Sequence, residues 1–232
     1  MMIKFSRVLF LLLIVTSCIG EDVIDDFIEA ELRILNPVEE VSLSEDYQFN
    51  VTYFNNVGEP DNTVNVSWSS SDLSIATISS SGLLTPLAVG QVSITAAVST
   101  QNDNIQETFN INIVEGETTS MPVTEQKSGT IRTTSSYLLE GSFTLSETQS
   151  GEDLILEIDD DYRASTALPG LYLYLSNNPN SIGSAYEVGA VETFNGSHNY
   201  SIPNTGINDY SYLLYWCKPF NVKVGDGEIL DD

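Results

Sequence analysis

The chain is poor in basic residues, cysteine and histidine. Eight Lys and Arg stand against 33 Asp and Glu, a formal net charge of −25 over 232 residues. Nucleic-acid backbones are bound through Lys and Arg, so this charge argues against a nucleic-acid partner. Two Cys and one His can form neither a disulfide framework nor a His/Cys metal site, so we expect no metal centre of that kind. With 41% hydrophobic residues, the chain is nevertheless able to form folded cores.

The N-terminal apolar run is too short to span a bilayer. Lys4 and Arg7 precede apolar residues from Val8 to Val15, and small residues and Cys18 follow. A membrane span needs roughly 20 apolar residues, so this order predicts a secretory signal peptide over residues 1–17. The sequence VTSC resembles the bacterial lipobox, which implies that Cys18 is lipidated and becomes the first residue of the mature lipoprotein. An ordinary signal peptide with a chance cysteine is the alternative.

An acidic segment follows, and we expect residues 18–31 to form a tether. It contains Glu21, Asp22, Asp25, Asp26, Glu29 and Glu31. An acidic run after a lipidated cysteine resembles the export tether of surface lipoproteins in Bacteroidetes-type bacteria, whereas a solvated spacer is the simpler interpretation. The resemblance implies lipid anchoring at the outer membrane or cell surface of a Gram-negative bacterium, with the membrane as partner.

The rest of the chain shows the period of two that is typical of β-strands. Polar and apolar residues alternate over 47–53, 64–68, 92–98 and 109–113. This density predicts about seven strands between residues 32 and 115, which fits a β-sandwich. Residues 116–126 lack alternation and predict a linker, and alternation resumes over 127–232. We therefore predict an all-β fold, two β-sandwich domains in tandem behind a lipoprotein signal peptide.

The first β segment resembles the bacterial Ig-like group 2 family. The matching residues are Trp68, Ser71-Asp72, Ile75-Ala76-Thr77-Ile78, Gly82-Leu83-Leu84-Thr85, Gly90 and Ile94-Thr95-Ala96. The resemblance implies an Ig-like domain of the kind used in stalks and adhesion units. Trp68 is expected to fill the core behind the sheet rather than to bind a ligand.

The second segment resembles the DM-thirteen domain, also called electron transfer DM, a companion of DOMON domains. The matching residues are Leu173-Tyr174-Leu175-Ser176, Val188-Gly189, Tyr200-Ser201-Ile202-Pro203, and Trp216-Cys217 with Phe220 and Val222. Three positions depart from the family pattern. Leu168-Pro169-Gly170 replaces the usual Gly-Pro-Asp, Tyr162 replaces a Phe, and Gly227-Glu228 replaces a small apolar residue.

The DM-thirteen resemblance implies a redox or electron-transfer module that the Ig-like domain, as a spacer, presents away from the membrane. This module would act through Cys217, as a redox residue or haem ligand, supported by Trp216 and Tyr215 and serving an unknown redox partner. With Cys18 lipidated, no intramolecular disulfide can form, which leaves sulfenic-acid chemistry, a mixed disulfide or thiolate ligation. Each of these requires an accessible sulfur. Strand alternation places Leu213, Tyr215 and Cys217 on one face. The alternative is a buried cysteine that behaves as a small hydrophobic residue.

A second functional hypothesis is a non-catalytic adhesion module that binds glycans or proteins. Tyr172 and Tyr174 share one face of the stretch LYLYLS and could stack on sugar rings, although packing under a neighbouring segment is the alternative. In this hypothesis Cys217 is purely structural.

Other chemistry has weaker support. Asp159-Asp160-Asp161 could contribute oxygens to Ca²⁺, but an EF-hand loop from Asp159 would need Glu where Gly170 stands. His198 lacks the motif of a catalytic triad and is expected at the surface. No Walker, Rossmann or zinc-protease motif is present, so the sequence favours a non-enzymatic protein, and a hydrolase is a third hypothesis without an assigned residue.

Overall fold

The computed structural model describes residues 26–101, 103–116, 126–148 and 152–231. The predicted signal peptide, the lipidation site Cys18 and most of the predicted linker lie outside the described residues. Within them every regular element is a β-strand, apart from one 3₁₀ turn at Lys218–Phe220. The all-β prediction is confirmed. In the part of the chain described, no helix is long and apolar enough to cross a membrane.

The first half forms nine short strands. They are β1 (Glu31–Ile34), β2 (Glu40–Ser42), β3 (Tyr47–Gln48), β4 (Val51–Phe54), β5 (Val66–Ser70), β6 (Ala76–Ile78), β7 (Leu83–Pro86), β8 (Gly90–Ser99) and β9 (Asn104–Val114). One sheet has the order β2-β9-β8-β5, a second the order β3-β7-β6, and β1 pairs with β4. The alternate residues of β8 point inward, so Val92, Ile94, Ala96 and Val98 form the centre of the first core.

Trp68 packs against this core and stacks on Phe49 with ring centroids 5.9 Å apart. The alternating stretch 47–53 does not form one strand. Its first two residues pair with β7 and its last three with β1, because Phe49 bonds Gly82 and the Asn50 amide bonds the Asn36 side chain between them. The chain thereby crosses from one sheet to another, which alternation alone does not reveal.

The second half forms ten strands. They are β10 (Gln126–Thr133), β11 (Leu139–Glu147), β12 (Leu154–Ile158), β13 (Arg163–Ala164), β14 (Leu171–Ser176), β15 (Tyr186–Ala190), β16 (His198–Ile202), β17 (Tyr212–Cys217), β18 (Val222–Glu228) and β19 (Leu230–Asp231). They form a single sheet with the order β15-β14-β17-β18-β10-β11-β12-β16, while β13 pairs with β11 and β19 with β10. The sheet curves around its own core into a β-sandwich or near-barrel.

Strands β14 and β17 are covered on both faces. Their inward residues, including Leu173 and Tyr215, belong to the main core, and their outward residues Tyr174, Leu214 and Trp216 form a second cluster. Ile182 and Ala185, from the segment between β14 and β15, pack on this outer cluster. This arrangement decides which of the predicted site residues reach solvent.

Candidate functional site

Cys217 lies at the end of β17, opposite Leu171 of β14 and Val222 of β18. It is a free cysteine and only 3% exposed. The predicted alternation is correct, since Leu213, Tyr215 and Cys217 all belong to the inner core. The sulfur is therefore surrounded by apolar side chains, as expected for a cysteine that acts as a small hydrophobic residue.

The neighbouring cation does not face this sulfur. The Lys218 ammonium donates to the Glu187 carboxylate over 2.6 and 2.8 Å and lies 4.6 Å above the centre of the Tyr172 ring. These groups are on the outer side of β14, opposite the core. Activation of a thiol needs exposure and a nearby positive charge, and Cys217 has neither the exposure nor the charge of Lys218.

The two supporting residues have structural positions. Trp216 is buried in the outer cluster, and its indole N–H donates to Asn221 Oδ1 over 3.1 Å. Asn221 has a left-handed backbone (φ 52°) and ends the 3₁₀ turn. This bond closes the hairpin between β17 and β18. Tyr215 is fully buried on the opposite side of the strand.

A polar cluster that sequence reasoning missed lies inside the second core. Tyr162 Oη, Tyr215 Oη and His198 Nε2 are buried, and none has a partner at normal hydrogen-bond geometry among the described residues, although the Tyr162 and Tyr215 hydroxyls are close enough for each to affect the pKa of the other. The Tyr162 ring lies 5.0 Å from that of His198 and 6.0 Å from that of Tyr215. His198 Nδ1 is 3.0 Å from the Gly196 carbonyl oxygen, so Nδ1 is the donor in this hydrogen bond.

Burial raises the pKa of both Tyr162 and Tyr215, because a phenolate would lose its hydration in this core. The phenols are therefore neutral and cannot act as bases near neutral pH. The expectation of a surface His198 is corrected, since its ring packs between Tyr162 and Tyr200. The sequence feature that could have indicated this buried polar cluster is Tyr162, which has a hydroxyl where the DM-thirteen pattern has Phe.

The face with Tyr172 and Tyr174 is not open to a ligand. Tyr174 is 4% exposed, and its hydroxyl donates to Glu187 over 3.1 Å. Burial and this carboxylate together raise the pKa of Tyr174 to about 12. Tyr172 is half-buried beneath Lys218. Of the two interpretations of this pair, the structure favours packing, because Ile182 and Ala185 pack on the cluster that contains Tyr174.

The acidic stretch after β12 folds back on β11. Asp159 Oδ2 accepts from the Ser142 hydroxyl over 2.8 Å, and the two Asp161 oxygens lie 3.0 and 3.1 Å from that hydroxyl. Asp161 also accepts from the Ser142 amide over 2.9 Å. These carboxylates thus fix the turn. Over the described ranges, no group of three His, Cys, Asp or Glu side chains is arranged to hold a metal ion.

An open groove of about 440 Å³ lies over β10 and β11. Strand β10 pairs with β18 only at Arg132 and Thr133, and with β19 only at Lys127 and Ser128. The ladder is thus interrupted beside residues 129–131, which opens the groove. Its side chains are mostly polar: Ser128, Thr130, Arg132, Ser142, Thr144, Asp159 and Glu228, with Leu230 as the exposed apolar residue.

Residues 39–109 match the family model described as bacterial Ig-like domain (group 2). The match covers the strands from β2 to β8 and the first part of β9, and it confirms the Ig-like prediction for this part of the chain. No curated protein matches the chain.

Proposed function

We propose that this chain is a non-enzymatic, lipid-anchored envelope protein in which the Ig-like domain is a structural module and the second β domain carries a binding surface. The observation that supports this proposal most is the burial of Cys217 in the inner core. Electron transfer through this residue would need a sulfur that a partner or cofactor can reach. The adhesion hypothesis needs no such access, because it assigns Cys217 a structural role.

The DM-thirteen resemblance remains a prediction for residues 127–232, and haem ligation is its sharpest consequence. Cys217 is paired through its backbone with β14 and β18, and its side chain belongs to the packed inner core, which is where haem would have to bind. A macrocycle would have to displace Leu171 and Tyr215, so the residues present do not fit the group.

An absorption spectrum tests this part of the proposal. The mature chain with Cys18→Ser is purified, mixed with haem at equal concentration and passed through a desalting column. We expect no retained haem absorption. Retained haem that disappears in the Cys217→Ala variant would contradict a structural cysteine and restore the redox hypothesis.

The groove over β10 and β11 is the surface we assign to binding. Thr130 and Thr144 hydroxyls, the largely exposed Arg132 side chain and the carboxylates of Asp159 and Glu228 offer both donors and acceptors. Its volume lies at the small end of the range for ligand sites, roughly 300–1,000 Å³. The surrounding acidic charge disfavours anions. A neutral polyhydroxyl ligand, such as a short saccharide, fits this chemistry.

A glycan array on the purified mature chain tests this assignment. We expect binding to neutral glycans that is lost in the double variant Thr130→Ala/Thr144→Ala. The control is Thr95→Ala/Thr108→Ala, which removes a pair of exposed threonine hydroxyls 2.9 Å apart on the Ig-like sheet. Binding that survives the first variant, or that is lost equally in both, would refute the groove as the site.

A further inference from the structure

The two domains meet in a polar junction centred on Arg33, the only Lys or Arg between Arg7 and Lys127. Its guanidinium donates across the junction to Asn177 Oδ1 over 2.9 Å, to the Asn208 carbonyl over 3.1 Å and to Ser211 Oγ over 2.6 Å. Glu31 binds the same guanidinium over 2.7 Å and fixes its orientation. The single Lys or Arg of the Ig-like half therefore donates three hydrogen bonds to the second domain and two to Glu31 of its own half.

Two asparagines of the second domain donate in the opposite direction. Asn178 Nδ2 bonds the carbonyls of Asp26 over 2.7 Å and Val57 over 3.0 Å, and Asn208 Nδ2 bonds that of Leu35 over 3.1 Å. Asn178 is only 1% exposed. These bonds and the burial of Asn178 exist only while the two domains are in contact, so they favour the joined arrangement.

Gly58 shows how closely the surfaces approach. Its φ of +77° suits glycine, and a Cβ at this position would lie 2.9 Å from the backbone carbon of Asn177. Side chains larger than hydrogen would push the second domain away. The backbones of Gly58 and Asn177 are therefore in direct contact, and the junction leaves no space for a hinge motion.

The junction also receives the end of the predicted tether. Asp26 is bonded by Asn178 of the second domain, and the Ile28 amide bonds Asn56 of the Ig-like domain over 2.9 Å. Asp26 follows Cys18 by eight residue steps, which span at most about 29 Å when fully extended. An anchor at Cys18 would therefore hold the junction, where both domains meet, within this distance of the membrane.

We propose that the two domains form one rigid unit suspended from their junction, so that the Ig-like domain does not separate the second domain from the membrane. This inference rests on the proposed lipid anchor for its membrane part, but the rigid junction is independent of the anchor. It revises the expectation that an Ig-like spacer lifts the second domain away from the bilayer.

The solution experiment tests the junction alone. Spin labels are placed at Leu73→Cys, which follows β5, and at Phe220→Cys, which follows the end of β17 away from the junction residue Ser211, both exposed positions, in the mature chain with Cys18→Ser and Cys217→Ala. Double electron–electron resonance should give one narrow distance distribution. Adding Arg33→Ala and Asn178→Ala should broaden it, whereas Arg163→Ala, whose guanidinium bonds the carbonyls of Asp160 and Tyr162 within its own domain, should not. A broad distribution before the junction is altered would overturn the proposal.

The membrane experiment uses the lipidated protein in vesicles that contain an acceptor lipid dye. A donor dye at Leu73→Cys in the Ig-like half and one at Phe220→Cys in the second half, in separate Cys217→Ala samples, should transfer energy to the bilayer with similar efficiency. Much weaker transfer from Phe220 than from Leu73 would overturn the suspended arrangement in favour of a spacer. Weak transfer from both sites, together with a narrow distribution in solution, would reject the anchor-bound arrangement and leave the rigid junction standing.

Discussion

Replacing Tyr162 by Phe should make the second domain more stable. Tyr162 is fully buried, and its hydroxyl has no partner at normal hydrogen-bond geometry among the described residues. A buried hydroxyl without a partner costs about 1–3 kcal/mol, because its hydration is lost and not replaced. Phe keeps the ring and its contacts with His198 and Tyr215 while it removes the oxygen. We expect the free energy of unfolding to rise by about 1 kcal/mol.

The assay is thermal and urea unfolding of the mature chain, followed by calorimetry and near-ultraviolet circular dichroism. For a domain of this size, 1 kcal/mol corresponds to a rise of roughly 4 °C in the transition of the second domain. Tyr174→Phe is the matched control, since Tyr174 is also buried but its hydroxyl donates to Glu187 over 3.1 Å. It should lower stability. A Tyr162→Phe protein destabilised as much as Tyr174→Phe would refute the reasoning, because its hydroxyl would then have a partner.

Three further predictions follow from packing and protonation. Gly129→Ala should destabilise the second domain by about 1–3 kcal/mol in urea unfolding, because the new Cβ would lie 2.5 Å from the Phe143 ring and closer still to the Glu228 carbonyl oxygen. Gly183→Ala is the control and should have little effect, since its Cβ would meet only Ser181 Oγ, at 3.4 Å. The free energy of unfolding should fall as the pH rises above about 10. An unfolded tyrosine ionises at that pH, whereas the hydrogen bond to Asp103 and burial raise the pKa of Tyr53 to about 12 in the folded protein. Tyr53→Phe should reduce this fall in urea unfolding curves measured at several pH values, and an unchanged slope would contradict the prediction. Cys217→Ser, measured in the same way, should lower stability by about 1–3 kcal/mol by burying a hydroxyl, and an unaffected protein would show that the side chain is not packed.

The strand positions in this chain could be predicted from local sequence, because apolar and polar residues alternate along a half-buried strand and show which side chains face the core. The stretch LYLYLS became β14 at its predicted bounds, and the inward set of β17 was identified correctly. The Ig-like segment was also identified, since turn residues such as Gly82 are required by close approach to Trp68.

The features that could not be predicted from the sequence depend on contacts between segments that are far apart in the chain. Alternation assigns Tyr174 to an outward face but cannot show that the segment with Ile182 folds over that face. Likewise, Arg33 looks like an isolated surface charge until Asn177 and Ser211, far away in the chain, are placed against it. The groove over β10 lies where the pairing of β10 with β18 and β19 is interrupted, and no residue pattern in the sequence predicts that interruption.

The accessibility of one sulfur tests the central claim most directly. The mature chain with Cys18→Ser has Cys217 as its sole thiol, and its alkylation by a maleimide can be followed by mass spectrometry in buffer and in increasing urea. A core cysteine should react only through unfolding, so labelling in buffer should be orders of magnitude slower than in urea and should slow further in any stabilised variant. Labelling in buffer at the rate of a free cysteine would contradict a structural Cys217 and make the redox hypothesis the better account.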